Sequence, residues 1–364
     1  MKTSVASNER TGKTTDRVVP APRIPAERVL IVLFGAIGDV VRALPLAGRI
    51  RSAYPGARIA WAVEPMSAPL LEDHPAIDEA IVFRRPEGAP AFLRFLDDVR
   101  RRRFDLVIDL QRHLKSGLVS FATRARVRVG FHRANSKEGN WVFNTEHVPP
   151  QPHWSSKLGQ YLAFARHLGI EDEAIDFDLR LREDEERRVD ELLGGLRGPF
   201  AAAFVGSSWE SRWWWPEATA EVAEALASRH GLETVLLGAP SETELARQVS
   251  ARAAAATLDL SGRTTLRDLI GIFRRASIAF GPDSGPMHLA AAVGRRVVSL
   301  WGATSPFRSA PHASEHLALV GHVACHPCYL RRCPVDRPCM REIKPAAVLA
   351  RIEHALAEVS REPS

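Results

Sequence analysis

Three stretches of the sequence place small, polar or charged residues directly after a run of apolar residues. The first reads VLFGAIGDVVRALP over residues 32–45, where Gly35 and Gly38 precede a lone carboxylate, Asp39. That aspartate could cap a helix, or it could act as a general base that accepts a proton from a substrate hydroxyl. A carboxylate at this turn would repel a diphosphate, so a sugar hydroxyl is its better partner.

A second stretch, VGSSWESRWWWPEA over residues 205–218, also follows an apolar run. The hydroxyls of Ser207 and Ser208 and the guanidinium of Arg212 are groups that bind phosphate oxygens at the carboxyl end of a strand. Four tryptophans lie in the same stretch, at position 209 and at positions 213–215. They could belong to a hydrophobic core, or they could cover a bound sugar or base.

A third stretch, FGPDSGPMHLAAAVG over residues 280–294, has proline and glycine placed as at the two ends of a short helix. Asp283, Ser284 and Gly285 would lie at the helix N-terminus, where unpaired backbone N–H groups bind anions such as a diphosphate. His288 in the first turn could add a hydrogen bond or a positive charge. The alternative is that Asp283 or Ser284 caps a purely structural helix and that His288 packs.

The elements that must position these stretches alternate twice along the chain. Short apolar runs predict five strands in the first half, over residues 29–34, 58–63, 80–84, 104–110 and 126–131. The alternation restarts at residue 200 and includes a predicted helix over residues 241–256. Such alternation indicates right-handed crossovers and parallel sheets. We therefore predict an α/β protein with two doubly wound Rossmann-like domains, whose ligands bind in a cleft at the carboxyl ends of the strands.

Charged and glycine-rich sequence between the two halves predicts their connection. The predicted boundaries are a disordered tail over residues 1–26, an N-terminal domain over 27–180, a connection over 181–198, a C-terminal domain over 199–343 and a final helix within 344–364. That final helix could continue the second domain or pack back across the first.

The composition is that of a globular protein with two cores, since 45% of the 364 residues are hydrophobic and 25% are charged. A formal net charge of +6 favours anionic partners. The basic run at residues 100–103 lacks interleaved aromatic residues, so we expect a solvated helix end and no nucleic-acid partner. No apolar stretch reaches about 18 residues and no secretion signal begins the chain, which predicts a cytoplasmic protein.

Four cysteines lie within residues 325–339, with the spacing C-x2-C-x4-C-x5-C. Four thiolates so close together could hold a structural zinc ion or an iron–sulfur cluster. Alternatively they are reduced thiols that fix a loop. The predicted metal ligands are Cys325, Cys328, Cys333 and Cys339.

Five segments, taken in order, resemble a known family, the family 9 glycosyltransferases, whose best-known members are ADP-heptose:lipopolysaccharide heptosyltransferases. These segments are GAIGDVVRALP, FDLVIDLQRHLKSGL, GSSWESRWWWP, GPDSGPMHLAAAVG followed by LWGATSP, and CHPCYLRRCPVDRPCMREI. The resemblance implies a GT-B architecture. In that architecture the N-terminal domain takes a lipid-linked acceptor, the C-terminal domain takes the nucleotide sugar, and transfer inverts the anomeric centre.

The resemblance also implies roles for single residues. Asp39 matches the family's general base. The residues matched to the acceptor side are Gly38, Asp109, Gln111, Lys115 and Ser116, and Lys115 could pair with a phosphate or carboxylate of an inner-core sugar. The residues matched to the donor side are Ser207, Ser208, Arg212, Glu242, Asp283, Ser284, Gly285 and His288. No cofactor is expected for catalysis, because helix N–H groups and basic side chains stabilise the leaving nucleotide in this family.

One segment departs from the family pattern. The family commonly has a lysine shortly before Trp-Pro, whereas this chain reads SRWWWP over residues 211–216. If Arg212 replaces that lysine, the diphosphate keeps its charge partner. If Trp213 replaces it, that partner is lost.

The resemblance thus predicts an inverting transferase that moves heptose from ADP-heptose to the lipopolysaccharide core, in peripheral contact with the inner membrane. The alternatives are a relative that uses another nucleotide sugar, a GT-B epimerase, or a catalytically silent protein that binds nucleotide sugars.

Overall fold

The computed structural model describes residues 23–171 and 173–359, and within them two parallel sheets of six strands each. The strands are β1 Arg28–Val32, β2 Arg58–Val63, β3 Glu79–Val82, β4 Leu106–Asp109, β5 Val127–Gly130, β6 Glu146–His147, β7 Phe200–Phe204, β8 Glu233–Leu237, β9 Thr257–Asp259, β10 Ile278–Pro282, β11 Val297–Trp301 and β12 Leu319–Val320. Their orders are β3-β2-β1-β4-β5-β6 and β12-β11-β10-β7-β8-β9. The predicted α/β architecture with two doubly wound halves is confirmed.

Helices cover the faces of both sheets. They are α1 Ile37–Ala53, α2 Gly88–Arg101, α3 Leu114–Ala122, α4 Lys157–His167, α5 Glu183–Leu193, α6 Pro216–His230, α7 Thr243–Ser250, α8 Leu266–Arg275, α9 Gly285–Ala292, α10 Pro338–Glu342 and α11 Pro345–Val359. Strands buried on both faces read as continuous apolar runs, which is why RVLIV in β1 and FAAAF in β7 show little alternation.

The apolar core explains how the two halves meet. One cluster of buried side chains draws on both sheets and on the helices between them, from Val40 and Leu44 of α1 to Met287 and Leu289 of α9. Helices α1 and α9 are in direct contact. Because each begins just after the central strand region of its own sheet, their N-termini meet at the carboxyl edges of both sheets.

Several predicted boundaries differ from the structure. The helix predicted over residues 241–256 is α7 flanked by two 3₁₀ turns. The edge strands β6, β9 and β12 were not predicted, because two or three residues carry too little hydrophobic pattern. Helix α11 packs on α6, β10 and β11. Of the two predicted placements, the final helix therefore continues the second domain.

The predicted disordered tail lies mostly outside the described residues, but its last four residues are ordered. The backbone N–H of Arg23 donates to Leu168, and Tyr54 donates its hydroxyl hydrogen to the carbonyl of Ile24. Those residues therefore belong to the folded part of the chain. The remaining domain boundaries stay predictions. In residues 23–171 and 173–359, no helix is both long and apolar enough to span a bilayer.

Candidate functional site

A cavity of about 350 Å³ lies between the two sheets, where the N-termini of α1 and α9 face each other. Its lining comes from both halves of the chain: Ala36, Gly38, Asp39, Arg42, Lys157, Ser208, Trp209, Arg212, Asp283, Ser284, Gly285, His288, Trp301, Thr304, Ser305, Arg308, Ser309 and Tyr329. The structure thus brings together eight of the fourteen predicted acid–base, acceptor and donor residues, although these come from segments far apart in the chain.

Asp39 sits in the first turn of α1, with its carboxylate held by two cations. The Nζ atom of Lys157 lies 2.7 Å from Oδ1 and 3.0 Å from Oδ2. An Nη atom of Arg42, one turn further along α1, donates to Oδ1 at 2.6 Å. The N-cap of α1 is Ala36, which makes no side-chain capping bond. The capping role considered for Asp39 is therefore wrong, because this carboxylate binds side chains instead of the backbone N–H groups of its helix.

The environment of Asp39 fixes its charge. Burial by itself would raise the pKa of the carboxyl, but the positive charges and hydrogen bonds of Lys157 and Arg42 outweigh burial and hold that pKa well below its usual range. Burial lowers the pKa of Lys157, and the charge of Asp39 opposes that change. Asp39 is consequently a carboxylate throughout the neutral pH range, which is the ionisation state that a general base requires.

His288 joins the two helices at the centre of the cavity wall. Arg42 donates to Nε2 of its ring, with an Nη1–Nε2 distance of 2.7 Å, and Nδ1 lies 3.3 Å from the same Nη1 atom. Burial, and then the charge of Arg42, lower the pKa of this imidazole well below its usual value. The ring is therefore neutral beside Arg42, which does not support the positive charge considered for His288, and a hydrogen bond from His288 to a ligand stays a prediction.

Glycines make the approach of α1 to α9 possible. A Cβ atom on Gly38 would lie 2.4 Å from Cδ2 of His288, and one on Gly285 would lie 3.0 Å from Cβ of Ile37. Any side chain at Gly38 would therefore push the two helix N-termini apart. The N-cap of α9 is Ser284, whose hydroxyl makes no capping bond.

Arg212 is the cation that the second stretch contributes to the cavity. Its Nη1 atom lies 3.1 Å from Oδ2 of Asp283, and its guanidinium stacks on the ring of Trp209 at 4.0 Å. Thr304 donates to the same Asp283 oxygen at 2.7 Å. The Asp283 carboxylate is therefore engaged in holding Arg212 and Thr304. Trp213 points away, with its Nε1 donating to the carbonyl of Ser207 at 2.7 Å.

The cavity wall holds polar atoms that lack hydrogen-bond partners. In the described part of the chain, nine buried side-chain polar atoms have no partner, and four of them belong to residues that line this cavity. These four are Nε of Arg42, Nε of Arg212, Oγ of Ser284 and Nε of Arg308. Buried polar groups are normally hydrogen-bonded. Four unpaired donors at one cavity, three of them cationic, are what an anionic ligand would satisfy.

The family is decided by comparison with known sequences. The model of the family described as glycosyltransferase family 9 (heptosyltransferase) matches residues 92–337, more than half of the chain. The chain belongs to glycosyltransferase family 9. The lipopolysaccharide core heptosyltransferase OpsX of Haemophilus influenzae is 26% identical over 286 residues, which cover 78% of this chain and 81% of that protein.

Solved structures of family 9 members share the fold. The family 9 glycosyl transferase of Veillonella parvula superposes with a TM-score of 0.79 at 21% identity, covering 91% of this chain and 98% of that one. The heptosyltransferase WaaC of Escherichia coli, solved with ADP, gives a TM-score of 0.70 at 23% identity, covering 90% of this chain and 99% of that one. These likenesses confirm the GT-B architecture of two Rossmann-like halves facing a cleft.

Two residues matched to the donor side of family 9 lie outside the cavity lining. Ser207 is buried and donates its hydroxyl hydrogen to the carbonyl of Asp283 at 2.8 Å, so it joins the segments that follow β7 and β10. The Glu242 carboxylate is buried against Gly206, where a Cβ atom would lie 2.7 Å from it, and it accepts the backbone N–H of Ala239. Burial raises the pKa of Glu242.

The residues matched to the acceptor side of family 9 are mostly structural. Asp109 is fully buried and accepts hydrogen bonds from Asn140, Ser116 and the backbone of Gln111, at 2.7, 3.2 and 3.1 Å. Burial raises its pKa to about 7. Neither Asp109 nor Ser116 is exposed in this structure, and an acceptor contact by either side chain stays a prediction. Their hydrogen bonds fix the start of α3.

The other two acceptor-side residues lie away from the cavity wall. The Oε1 atom of Gln111 accepts the backbone N–H of Phe34 at 2.9 Å, joining the loops after β1 and β4. Lys115 is exposed on α3. An acceptor role for Lys115 and Gln111 stays a prediction.

The four cysteines do not form a metal site in the structure. Cys339 is buried in the core against Gly302, Cys333 accepts the backbone N–H of Arg337 through Sγ at 3.2 Å, and Cys325 is exposed. Within residues 23–171 and 173–359, no three His, Cys, Asp or Glu side chains are placed to hold one metal ion. The predicted zinc or iron–sulfur centre is therefore unsupported. The loop does contribute Tyr329 to the cavity lining.

Two of the four tryptophans in the second stretch are structural and a third lies at the cavity. Trp214 is in the core and donates to the carbonyl of Ile343, and Trp215 packs against the guanidinium groups of Arg337 and Arg341. Trp209 lines the cavity beneath Arg212.

Sequence reasoning missed seven polar residues of the cavity lining: Arg42, Lys157, Thr304, Ser305, Arg308, Ser309 and Tyr329. Arg42 carried a usable signal, because residues three apart on a helix lie on the same face as each other. Thr304 is within the LWGATSP segment already matched to family 9. Lys157 carried none, since it lies 118 residues from Asp39 in sequence.

Proposed function

We propose that this protein transfers heptose from ADP-heptose to a lipid-linked lipopolysaccharide core acceptor, with inversion of the anomeric carbon. Membership of family 9 and the similarity to OpsX and WaaC, the latter solved with ADP, support this assignment. The cavity is large enough for the reacting part of a nucleotide sugar, since ligand cavities begin at roughly 300 Å³.

A single observation carries the proposal. The ionised carboxylate of Asp39 lines the same cavity as the N-terminus of α9 and the unpaired Nε atoms of Arg212 and Arg308. Glycosyl transfer without a covalent intermediate needs these two features on opposite sides of the anomeric carbon. A base accepts the acceptor proton on one side, and positive charge receives the departing diphosphate on the other.

In the proposed reaction, Asp39 accepts the proton of the acceptor hydroxyl while that oxygen forms a bond to C1 of heptose. The bond between C1 and the ADP oxygen breaks at the same time, and the leaving diphosphate takes the electron pair. The N–H groups at the start of α9, the hydroxyl of Ser284 and the guanidinium groups of Arg212 and Arg308 bind the developing negative charge.

Lys157 and Arg42 hold Asp39 in place before the reaction. Because their charges keep the proton affinity of Asp39 low, proton transfer occurs late, after bond formation to C1 has made the acceptor oxygen acidic. An anionic group of the acceptor, such as a sugar carboxylate or phosphate, would bind Lys157 and thereby make Asp39 more basic when acceptor is present.

The remaining family 9 roles belong to this proposal. Gly38 and Ser208 would contact ligand at the cavity wall, Glu242 would bind the ribose of the donor, and Lys115 would bind the acceptor. Because the acceptor is lipid-linked, the enzyme would work in peripheral contact with the cytoplasmic face of the inner membrane.

A donor screen tests the proposal. Thermal unfolding of the purified protein would be followed with ADP, UDP and GDP sugars, because a ligand that binds only the folded state raises the unfolding temperature. We expect ADP-heptose to give the largest increase, and product analysis to show heptose on the core acceptor and ADP released. A clear preference for UDP or GDP sugars would contradict the heptose assignment. Donor binding with no transfer to any core acceptor would contradict the enzymatic one.

A further inference from the structure

An apolar surface outside the cleft is exposed on α3 and on the 3₁₀ turn Asn140–Phe143. Leu114, Leu118 and Phe121 are spaced i, i+4 and i+7 and so share one face of α3. The 3₁₀ turn adds Trp141 and Val142. Phe121 is 59% exposed and Val142 63%, high values for large apolar side chains. We call these five residues the α3 surface.

The α3 surface is closely packed on the residues beneath it. A Cβ atom on Gly117 would lie 2.7 Å from the ring of Phe143, which shows how closely α3 packs on the 3₁₀ turn. The rings of Phe121 and Phe143 are 6.1 Å apart, edge to face. Ser120 donates to Asn144 at 2.7 Å beneath them. The exposed side chains are therefore held on a buried platform, as at a surface that docks against something.

The segment that carries this surface is also where the positive charge of the chain is concentrated. Residues 111–150 contain seven Lys or Arg and two Glu, a net charge of +5, whereas the whole chain carries +6. Three of these cations stand close to the α3 surface in sequence or in space. Lys115 adjoins Leu114, Arg124 follows Phe121 by three residues, and the guanidinium of Arg128 lies 5.8 Å from the ring of Phe121.

A basic cavity of about 1110 Å³ begins where α3 ends. Arg124 and Arg126 line it together with Arg100, Arg101 and Arg103, against three acidic residues, Glu27, Asp97 and Asp105. The basic run that the sequence suggested was a solvated helix end is therefore part of a larger positive region beside the C-terminal end of α3. This region lies at the amino edge of the first sheet, because Glu27, Asp105 and Arg126 directly precede β1, β4 and β5.

We propose that the α3 surface docks on a bilayer containing anionic lipids. Phe121, Trp141 and Val142 would enter the headgroup region, where aromatic side chains are favoured, and the surrounding Lys and Arg would contact lipid phosphates. A protein partner would explain the apolar side chains, and a nucleic-acid partner would explain the positive charge. A membrane interface uses both features together.

This proposal deepens the proposed function and rests on it, because a lipid-linked acceptor requires the enzyme to meet a membrane. The position of the surface fits that use. Helix α3 begins five residues after the end of β4, at the same sheet edge that carries Asp39, since Val32 of β1 pairs with Asp109 of β4. An acceptor anchored beside the start of α3 would therefore lie at the sheet edge that carries the cleft.

Vesicle binding tests the docking surface. The full chain would be sedimented with vesicles of phosphatidylcholine alone or with about one third phosphatidylglycerol. We expect wild type to bind the anionic vesicles at least about tenfold more tightly, a difference of about 1.4 kcal/mol. The double substitution Trp141→Ser and Val142→Ser should weaken that binding about tenfold. Leu93→Ser, at an exposed residue of α2, is the matched control and should bind like wild type.

A second variant tests the contribution of positive charge to vesicle binding separately from that of the apolar side chains. It also keeps the proposal testable if the Trp141 and Val142 substitutions misfold the protein. Arg124→Gln with Arg126→Gln removes two exposed cations of the basic cavity, and should also weaken binding to anionic vesicles several-fold. The proposal is overturned if wild type does not prefer anionic vesicles, or if both variants bind as wild type does. It is also overturned if the Trp141 and Val142 substitutions only convert a dimer to a monomer in sedimentation velocity, which would assign this surface to a second copy of the chain.

Transfer to a water-soluble, delipidated core acceptor separates this proposal from the proposed function. The surface variants should keep wild-type activity with that acceptor and lose activity only with acceptor embedded in vesicles. If wild type itself transfers nothing to the soluble acceptor while vesicle binding behaves as expected, the proposed function fails and the docking surface stands.

Discussion

The Nζ atom of Lys157 lies 2.7 Å from Oδ1 of Asp39, although 118 residues separate them in sequence. This contact joins the start of α4 to the start of α1 at the wall of the cleft. It gives the proposed base a neighbouring cation that sets its proton affinity, and the first prediction follows from that pairing.

Replacing Lys157 should change the pH dependence of transfer. The charge of Lys157 helps hold the pKa of Asp39 well below its usual value, so Lys157→Met should raise it. Activity requires ionised Asp39, so the acidic limb of kcat/KM should move to higher pH by about one unit or more. Lys344→Met, an exposed lysine of the second half, is the control. An acidic limb unchanged by Lys157→Met would show that this pair does not tune the base.

Alanine substitutions at two glycines of α1 should have opposite effects on the free energy of unfolding. A Cβ atom at Gly38 would meet His288, so Gly38→Ala should lower the unfolding free energy by about 1 to 3 kcal/mol and reduce transfer. A Cβ atom at Gly48 of α1 meets nothing within 4 Å, so Gly48→Ala should raise the unfolding free energy by about 0.5 to 1 kcal/mol. Urea unfolding measures both. Equal effects would mean that α1 and α9 do not meet at Gly38 in solution.

Arg212 should account for much of the affinity for the donor. It lines the cavity with an unpaired Nε atom, whereas Trp213 points at the backbone of Ser207. Arg212→Met should weaken ADP binding at least about tenfold, since hydrogen bonds to charged groups contribute about 1.5 to 3 kcal/mol. Trp213→Phe should weaken it much less. Calorimetric titration with ADP measures both variants, and the reverse order would assign the family's lysine position to Trp213.

The buried carboxyl of Asp109 should make the free energy of unfolding fall as pH rises. Burial raises the pKa of Asp109 to about 7 in the folded state, while the unfolded chain has the ordinary value near 3.8. The folded protein therefore keeps this proton longer. The contribution of Asp109 to the free energy of unfolding is fully present below about pH 3.8. It is lost as pH rises towards 7, and the free energy of unfolding then falls by up to about 1.4 kcal/mol per pH unit.

The variant Asp109→Asn removes that titration. Urea unfolding between pH 4.5 and 8 should show a shallower decline for Asp109→Asn than for wild type, and Asp190→Asn, an exposed carboxylate of α5, should follow wild type. Identical pH profiles for wild type and Asp109→Asn would show that the carboxyl is ionised in the folded protein.

The sequence predicted the parts of the site that follow strands. Asp39, Arg212 and the residues 283–288 each come directly after an apolar run, so their place at the carboxyl edges of two parallel sheets could be derived from local pattern. The parallel architecture was predictable for the same reason. What a local pattern cannot show is which way a side chain points, and Asp109 and Ser116 proved to face inward, towards Asn140.

The residues that the sequence did not predict depend on tertiary contacts. Lys157 reaches Asp39 only because α4 packs against α1, and Arg308 reaches the cavity from a loop of the second half. The neutral state of His288 depends on burial beside Arg42, which no spacing reveals. Edge strands such as β6 and β12 have two residues each, too few for any periodicity to appear.

The most direct test of the account measures Asp39→Asn in two assays on the same preparation. If Asp39 is the base, heptosyl transfer should fall by about 10² to 10⁴-fold, while ADP-heptose should bind with nearly the wild-type Kd, because the donor-binding cations and the start of α9 are untouched. Asp190→Asn, at an exposed carboxylate of α5, should leave both values unchanged. Transfer by Asp39→Asn at the wild-type rate would contradict the central claim that this carboxylate activates the acceptor.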